Sequence, residues 1–249
     1  MSGHSKFSNI KHRKERQDQA RGKIFSKLAK EITVSVKQGG GADPSSNIRL
    51  AAALERARAC NMPKDNVERA IKRATGELPG VTFEEITYEG YGPDGVAIML
   101  HIITDNRNRT AAEIRRLFEQ GGGSLGGSVA WMFERRGVVS VSKGKLSVDP
   151  EEFLLEAMDW GAEDLDDDDE AVLLYCDPAQ LHALVAGLQQ AGIEPDQTET
   201  TFVPQNTVKL EGKAAERLVK FIQKLDDHED VQEVHANFEV PDEVFETIQ

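Results

Sequence analysis

The spacing of apolar residues changes near residue 80, and this change divides the chain into a helical part and an α/β part. Between Asp18 and Gly76 the apolar residues recur every three or four positions, which is typical of amphipathic helices. Beyond Pro79 short runs of alternating apolar and polar residues predict half-buried strands, and further helical segments lie between them. The 249 residues suffice for one or two domains of ordinary size or for three small ones.

The helical part predicts three helices preceded by a basic arm. The predicted helices cover residues 18–38, 46–60 and 63–74, and each is followed by glycine or asparagine residues that favour a helix end. Residues 1–16 are polar and basic, with few apolar anchors. We therefore expect them to form a mobile arm until a partner binds.

The order of elements after residue 135 predicts the architecture of the remainder. Residues 136–204 have the order strand, helix, strand, strand, helix, strand, which is that of a ferredoxin-like unit. The flanking segments, 79–135 and 205–249, have too few elements to close a sheet separately, and we expect them to form a second unit together. The predicted fold is α+β with three domains: a basic helical domain at 1–78, a discontinuous ferredoxin-like domain at 79–135 plus 205–249, and a ferredoxin-like domain at 136–204 inserted into it. Two consecutive α/β domains are the alternative.

Three local motifs of the α/β part have structural interpretations. Thr110 and Glu113 fit a capping box and predict a helix at Ala111–Gln120. The glycines at 121–127 lack the Gly-Lys-Ser/Thr ending of a phosphate loop, so they predict a flexible connection to a strand at Ser128–Phe133. The acidic run at 163–170 lacks the ligand spacing of a calcium loop and predicts a solvated turn between two strands, although its first residues, Glu163–Leu165, also fit a short strand.

The charge of the chain is divided near the same point as its apolar pattern. Up to Gly76 there are 17 Lys and Arg residues against 7 Asp and Glu, whereas the rest of the chain has 13 against 36. The molecule therefore presents two surfaces of opposite sign, and the basic one could bind a polyanion. A solvated basic surface that only balances the acidic remainder, or folds onto it, is the alternative.

Cationic side chains bind nucleic acid because each one that neutralises a phosphate releases condensed counterions. Those of the arm, of one flank of the first helix, of the third helix and of the segment before residue 110 are the candidate contacts: Lys6, Lys11, His12, Arg13, Lys14, Arg16, Lys23, Lys27, Lys30, Arg69, Lys72, Arg73, Arg107 and Arg109. For the last two, surface pairing with Asp105 and Glu113 is an equal alternative.

The sequence contains no pattern that indicates catalysis. The six histidines have no metal-ligand spacing, and Cys60 and Cys176 fit reduced thiols better than a disulfide. We therefore expect neither an enzyme nor a metal, cofactor or small-molecule substrate. No run of 18 apolar residues and no secretory signal is present, so we expect no membrane association and a cytoplasmic location.

Several motifs together resemble the YebC family, whose bacterial members are usually named probable transcriptional regulators and whose mitochondrial relatives activate translation of cytochrome oxidase subunit I. The resemblance covers essentially the whole chain. Its motifs are Ser2–Lys6, Asn9–Lys14, Gly22–Phe25, Asn61–Ile71, Tyr88–Pro93, Thr104–Thr110 and Gly126–Glu134. It implies a cytoplasmic three-domain protein of a family described both as DNA-binding and as ribosome-associated.

These observations predict a non-enzymatic, nucleic-acid-binding regulator, with DNA-binding regulation of transcription as the first hypothesis. A ribosome-associated translation factor that binds ribosomal or structured RNA is the alternative, because charge does not distinguish DNA from RNA. A protein-binding adaptor, whose acidic domains carry the function, is the second alternative.

Overall fold

A computed structural model describes residues 18–168, 170–241 and 243–244, with side chains from residue 22 onward. The predicted arm at 1–16 lies outside the described residues. The helices and strands of the described residues follow one another in this order: α1 Asp18–Gln38, α2 Ile48–Ala59, α3 Lys64–Thr75, β1 Glu84–Tyr91, β2 Ala97–Thr104, α4 Arg107–Gly121, β3 Ser124–Leu125, β4 Phe133–Ser142, α5 Pro150–Met158, β5 Ala162–Asp167, β6 Ala171–Cys176, α6 Leu181–Gln190, β7 Gln197–Pro204, β8 Val208–Lys209, α7 Gly212–Asp226, β9 Val231–Ala236 and β10 Phe238–Glu239.

The chain forms two compact units. One comprises Trp131–Thr207 and Asn237–Glu239, and the other comprises the described residues up to Ala130, Val208–Ala236 and the described residues from Val240. The larger unit contains α1 to α3, which we call the helical domain, and the sheet of β1, β2, β3 and β9 with α4 and α7, which we call the sheet domain. The α+β fold with a helical N-terminal domain is confirmed, whereas the predicted domain boundaries stay predictions.

The helical domain is built around apolar residues at helical spacing. Leu28 and Ile32 of α1 pack with Leu50 of α2 and Ala70 of α3 in one buried cluster. The side chain of Asn47 accepts a hydrogen bond from the Leu50 amide and so caps α2. Burial of this apolar surface, rather than helix propensity, stabilises helices of this length.

The sheet domain has the strand order β3-β1-β2-β9, and all its neighbouring strands are antiparallel. Helices α4 and α7 pack together, and the rings of Phe118 and Phe221 meet edge to face with centroids 5.3 Å apart. The turn Asp227–Asp230 joins α7 to β9 and lies beside the amino-terminal end of α4, because side chains there bond to Asp230.

The smaller unit confirms the predicted strand–helix–strand–strand–helix–strand order. Its sheet has the order β5-β6-β4-β7 with antiparallel neighbours, which is that of a ferredoxin-like unit. Phe153 of α5 and Leu184 of α6 are fully buried against Val139 and Leu174 of the sheet. No disulfide joins the two cysteines, and burial raises the pKa of the Cys176 thiol.

Three local predictions of the α/β part are wrong. Helix α4 begins at Arg107 because the Asn106 side chain accepts a hydrogen bond from the Arg109 amide. Thr110 therefore lies inside the helix and does not cap it. Residues 128–132 form no strand, although Phe133 begins β4. Most of the acidic run belongs to strand β5.

Candidate nucleic-acid interface

Lys23, Lys27 and Lys30 lie along one flank of α1, as the sequence predicted, and we call them the lysine row. The row contacts the carboxy-terminal end of α7 in the sheet domain. Lys23 Nζ lies 3.2 Å from Asp227 Oδ1, and both side chains are more than half exposed. Lys27 Nζ donates to the Asp226 backbone oxygen at 2.5 Å and lies 3.6 Å from its carboxylate. The carbonyl end of a helix attracts cations, so these contacts are favourable.

Lys30 ends in a buried polar cluster around Asp230. Its Nζ lies 2.5 Å from Asp230 Oδ1, and the Asp230 side chain is 0% exposed. The second carboxylate oxygen accepts hydrogen bonds from Arg109 at 2.9 Å and from Thr110 at 2.7 Å. Burial alone would raise the pKa of Asp230, but the bonds from Lys30, Thr110 and Arg109 outweigh it and lower that pKa to about 2. The carboxylate is therefore ionised and doubly paired.

The lysine row thus has an intramolecular role that the sequence had offered only as an alternative. Each of its three ammonium groups contacts a carboxylate of the sheet domain in the structure. Its predicted contact with phosphates stays a prediction, and such contact would have to compete with these carboxylates.

Arg107 and Arg109, which the sequence treated alike, have different surroundings. The Arg107 residue is exposed. Arg109 Nη2 lies 3.0 Å from Asp105 and 2.9 Å from Asp230, and these partners raise its pKa. Arg109 is therefore paired with carboxylates of the protein, whereas Arg107 is accessible to a ligand.

The exposed side of α3 carries Arg69, Lys72 and Arg73, which we call the basic face of α3. All three residues are exposed. Lys72 lies 4.0 Å from Glu68 on the same helix, a solvent-screened pair of small value. Within the part of the chain that the structure describes, Arg69 and Arg73 make no ion pair. This face therefore offers positive charge that carboxylates of the described chain do not neutralise.

The structure also brings together residues that the sequence analysis did not single out. Arg49 of α2 contacts Glu31 at 3.0 Å and Glu85 of β1 at 2.6 Å, while Glu85 also contacts His101 Nε2 at 2.7 Å. The bond from Arg49 lowers the pKa of Glu85. These partners are separated by 16 to 36 positions in the sequence, and no local pattern marks them as neighbours.

Glu113, His228 and Asp230 place three possible metal-binding atoms within 4.8 Å of one another. The arrangement does not favour a cation, since Lys30 and Arg109 already contact Asp230. His228 Nδ1 accepts a hydrogen bond from the Asp230 backbone amide, and His228 Nε2 lies 3.0 Å from a carboxylate oxygen of Glu113. The cluster is therefore satisfied by the protein's own groups.

The predicted contacts of the arm, Lys6, Lys11, His12, Arg13, Lys14 and Arg16, lie outside the described residues. Among the helices that the structure does describe, none is both long enough and apolar enough to cross a membrane.

Two family models together match nearly the whole chain. The model described as the TACO1/YebC protein N-terminal domain matches residues 5–77, and the one described as the TACO1/YebC second and third domain matches residues 83–238. The division between them falls in the segment that joins α3 to β1.

Full-length relatives and a solved structure agree with these matches. A protein of Dictyoglomus turgidum named probable transcriptional regulatory protein is 49% identical, with all of both chains covered. A protein of the same name from Thermotoga maritima is 51% identical over all of this chain and 98% of its own length. The crystal structure of a conserved hypothetical protein from Aquifex aeolicus is 42% identical, covers 90% of this chain and 93% of that one, and superposes with a TM-score of 0.76. The chain belongs to the TACO1/YebC family.

Proposed function

We propose that this protein is a non-enzymatic regulator that binds nucleic acid through its helical domain, and that it regulates transcription in the cytoplasm by binding DNA. The names of the relatives from Dictyoglomus turgidum and Thermotoga maritima support a regulatory role. The group most like a catalytic or metal site among the described residues, around Asp230, is neutralised by Lys30 and Arg109, which supports a role without catalysis.

The observation that carries the proposal is the basic face of α3. Arg69 and Arg73 are exposed one helical turn apart and have no ion pair within the described chain. Exposed cations at this spacing can contact successive phosphates without first breaking a contact within the protein. The gain comes from released counterions and depends little on base sequence.

Ribosomal or structured RNA is the second candidate ligand. The cations of the basic face recognise phosphates, which DNA and RNA share, and phosphate contacts carry no direct sequence information. The resemblance to translational activators favours this candidate, since such proteins act on RNA. A shape-directed RNA complex would use the same face.

Charge reversal on the basic face tests the proposal. Affinity for a labelled DNA duplex of about 20 bp, and for a ribosomal RNA fragment, is measured by fluorescence anisotropy between about 50 and 200 mM salt. We expect R69E/R73E to lower the affinity by at least about tenfold and to reduce the slope of log affinity against log salt by about 2 for DNA. Tighter binding of the DNA duplex would favour regulation of transcription, and tighter binding of the RNA fragment would favour a role in translation.

The matched control is K213E/K220E, which reverses two exposed cations of α7 and changes the net charge equally. We expect this control to leave the salt slope unchanged, because its residues lie outside the proposed face. Equal losses in the two variants would remove α3 from the interface. A failure of the parent protein to bind either nucleic acid would favour the protein-binding adaptor.

A further inference from the structure

The helical domain and the sheet domain meet at an interface, which we call the joint. In the part of the chain that the structure describes, all the cations of its ion pairs belong to the helical domain. Among the described residues, five ion pairs cross it, and in each the cation belongs to α1 or α2 and the carboxylate to the sheet domain. The pairs are Lys23–Asp227, Lys27–Asp226, Lys30–Asp230, Arg49–Glu85 and Arg56–Glu233. The sheet domain thus presents to the helical domain what a nucleic acid would present, a set of anionic oxygens.

Two carboxylates of this joint, those of Asp230 and Glu85, have a second partner inside the sheet domain. Asp230 retains Arg109 at 2.9 Å, and Glu85 retains His101 at 2.7 Å. Removing one member of a buried ion pair is costly when the other charge is left uncompensated. Separation of the two domains would leave Asp230 paired with Arg109 and Glu85 hydrogen-bonded to His101, so neither carboxylate would be left without a partner.

Of the other three carboxylates, Glu233 lies 3.4 Å from His235 of the same strand, and Asp226 and Asp227 lie at the end of α7. The side chain of Asp227 is 69% exposed and that of Asp226 is 19% exposed. The Lys23–Asp227 pair is therefore of the exposed kind that contributes little to stability, whereas the Lys27–Asp226 pair is largely enclosed, with its two side chains 16% and 19% exposed.

Two members of the lysine row, Lys23 and Lys30, have no comparable second partner in the helical domain. Within the described chain, no carboxylate of the helical domain lies within ion-pair distance of Lys23 or Lys30. In contrast, Arg49 keeps Glu31 at 3.0 Å. Opening of the joint would therefore expose ammonium groups on one flank of α1 that need a new anionic partner.

We propose that the carboxylates at the end of α7, those of Asp226, Asp227 and Asp230, act as an autoinhibitory mimic of a nucleic-acid backbone. They mask the lysine row in the docked state, and phosphates displace them when nucleic acid binds, so that the helical domain engages its ligand with the lysine row as well as the basic face of α3. This inference rests on the proposed function and specifies how the same domain is regulated.

The test weakens the mimic without changing any lysine. The variant D226N/D227N removes two of the three anionic groups, and it does not destabilise α7 because acidic side chains oppose the dipole at a helix's carboxy-terminal end. The control E84Q/E119Q removes two exposed carboxylates that have no ion pair within the described chain. The two variants have the same net charge, so long-range attraction to DNA is matched.

We expect D226N/D227N to bind duplex DNA about 2- to 30-fold more tightly than E84Q/E119Q, the range that follows from releasing two ion pairs worth up to about 1 kcal/mol each. In a K23Q/K27Q background D226N/D227N and E84Q/E119Q should no longer differ in affinity, because the ion pairs that D226N/D227N removes are already absent. Equal affinities of the two variants, or a gain that persists without the lysines, would overturn the inference.

A second readout works without nucleic acid. The Lys30 side chain is 15% exposed in the docked state, so its rate of acetylation by acetic anhydride, which releases acetate, reports opening of the joint. This rate should be about 2- to 30-fold higher in D226N/D227N than in E84Q/E119Q, and equal rates would contradict the proposed masking. If DNA and RNA binding are absent but this rate rises, the proposed function fails while the separable joint stands.

Discussion

The lysine row of α1 and the basic face of α3 carry the same kind of charge in the same helical domain, yet their surroundings differ. The row lies against carboxylates of the sheet domain, whereas Arg69 and Arg73 of the face have no ion pair within the described chain. Positive charge on a helix flank therefore does not by itself define a ligand-binding surface. What decides its availability is the element that packs against that flank.

Asp230, the buried partner of the lysine row, gives the largest expected effect. We expect Asp230→Asn to lower the free energy of unfolding by about 2 to 4 kcal/mol, because it leaves Lys30 and Arg109 beside a buried neutral group. The exposed Asp227→Asn should lower it by less than about 1 kcal/mol. Chemical denaturation measures both, and equal effects would show that Asp230 does not anchor the row.

The dependence of stability on pH sharpens the role of Asp230. Its pKa in the folded protein is lowered from 3.8 to about 2, so its ionised form stabilises the fold at neutral pH. This contribution should be fully present above about pH 4 and lost as the pH falls towards 2. The difference in unfolding free energy between the parent protein and D230N should shrink over that range, whereas a difference independent of pH would contradict the paired carboxylate.

Substitution of one cation in each region compares them directly. Lys30→Met should lower the free energy of unfolding by about 1 to 2 kcal/mol because it removes a charge-assisted hydrogen bond to a buried carboxylate. Arg73→Met should change it by no more than about 0.5 kcal/mol, as is usual at an exposed surface position. Thermal or chemical unfolding of the two variants would refute the comparison if Arg73→Met proved the more damaging.

The smallest effect is expected at the exposed end of the lysine row. Lys23→Gln removes a pair whose members are both largely exposed, so it should cost less than about 1 kcal/mol at low salt. At about 1 M salt the cost should vanish, because the screening length falls to about 3 Å. A cost that survives high salt would indicate a packing role for the Lys23 side chain.

Local patterns in the sequence predicted the elements that local interactions determine. The glycines after residue 38 end α1, Asn47 caps α2 and the order of elements from β4 to β7 gives a ferredoxin-like unit. In each case the signal lies within a few residues of the feature that it specifies. The α+β fold was therefore predictable.

The surroundings of the site depended on contacts between distant residues. The partners of the lysine row lie about 200 positions away in the chain, so no spacing rule connects them. Thr110 illustrates the same limit, since its hydroxyl donates a hydrogen bond to Asp230, 120 positions away. Asn106 caps the helix instead. The sequence placed the lysines on the correct flank, but it could not identify what that flank faces.

Protection of lysines from chemical modification tests the central claim most directly. The intact protein is treated with an amine-reactive label with and without duplex DNA or ribosomal RNA, and the labelled sites are identified by mass spectrometry. Binding through the helical domain predicts that Lys64 and Lys72 of α3 become protected while Lys213 and Lys220 of α7 stay as reactive as in the unbound protein. Protection of the α7 lysines with unchanged labelling of Lys64 and Lys72 would contradict it.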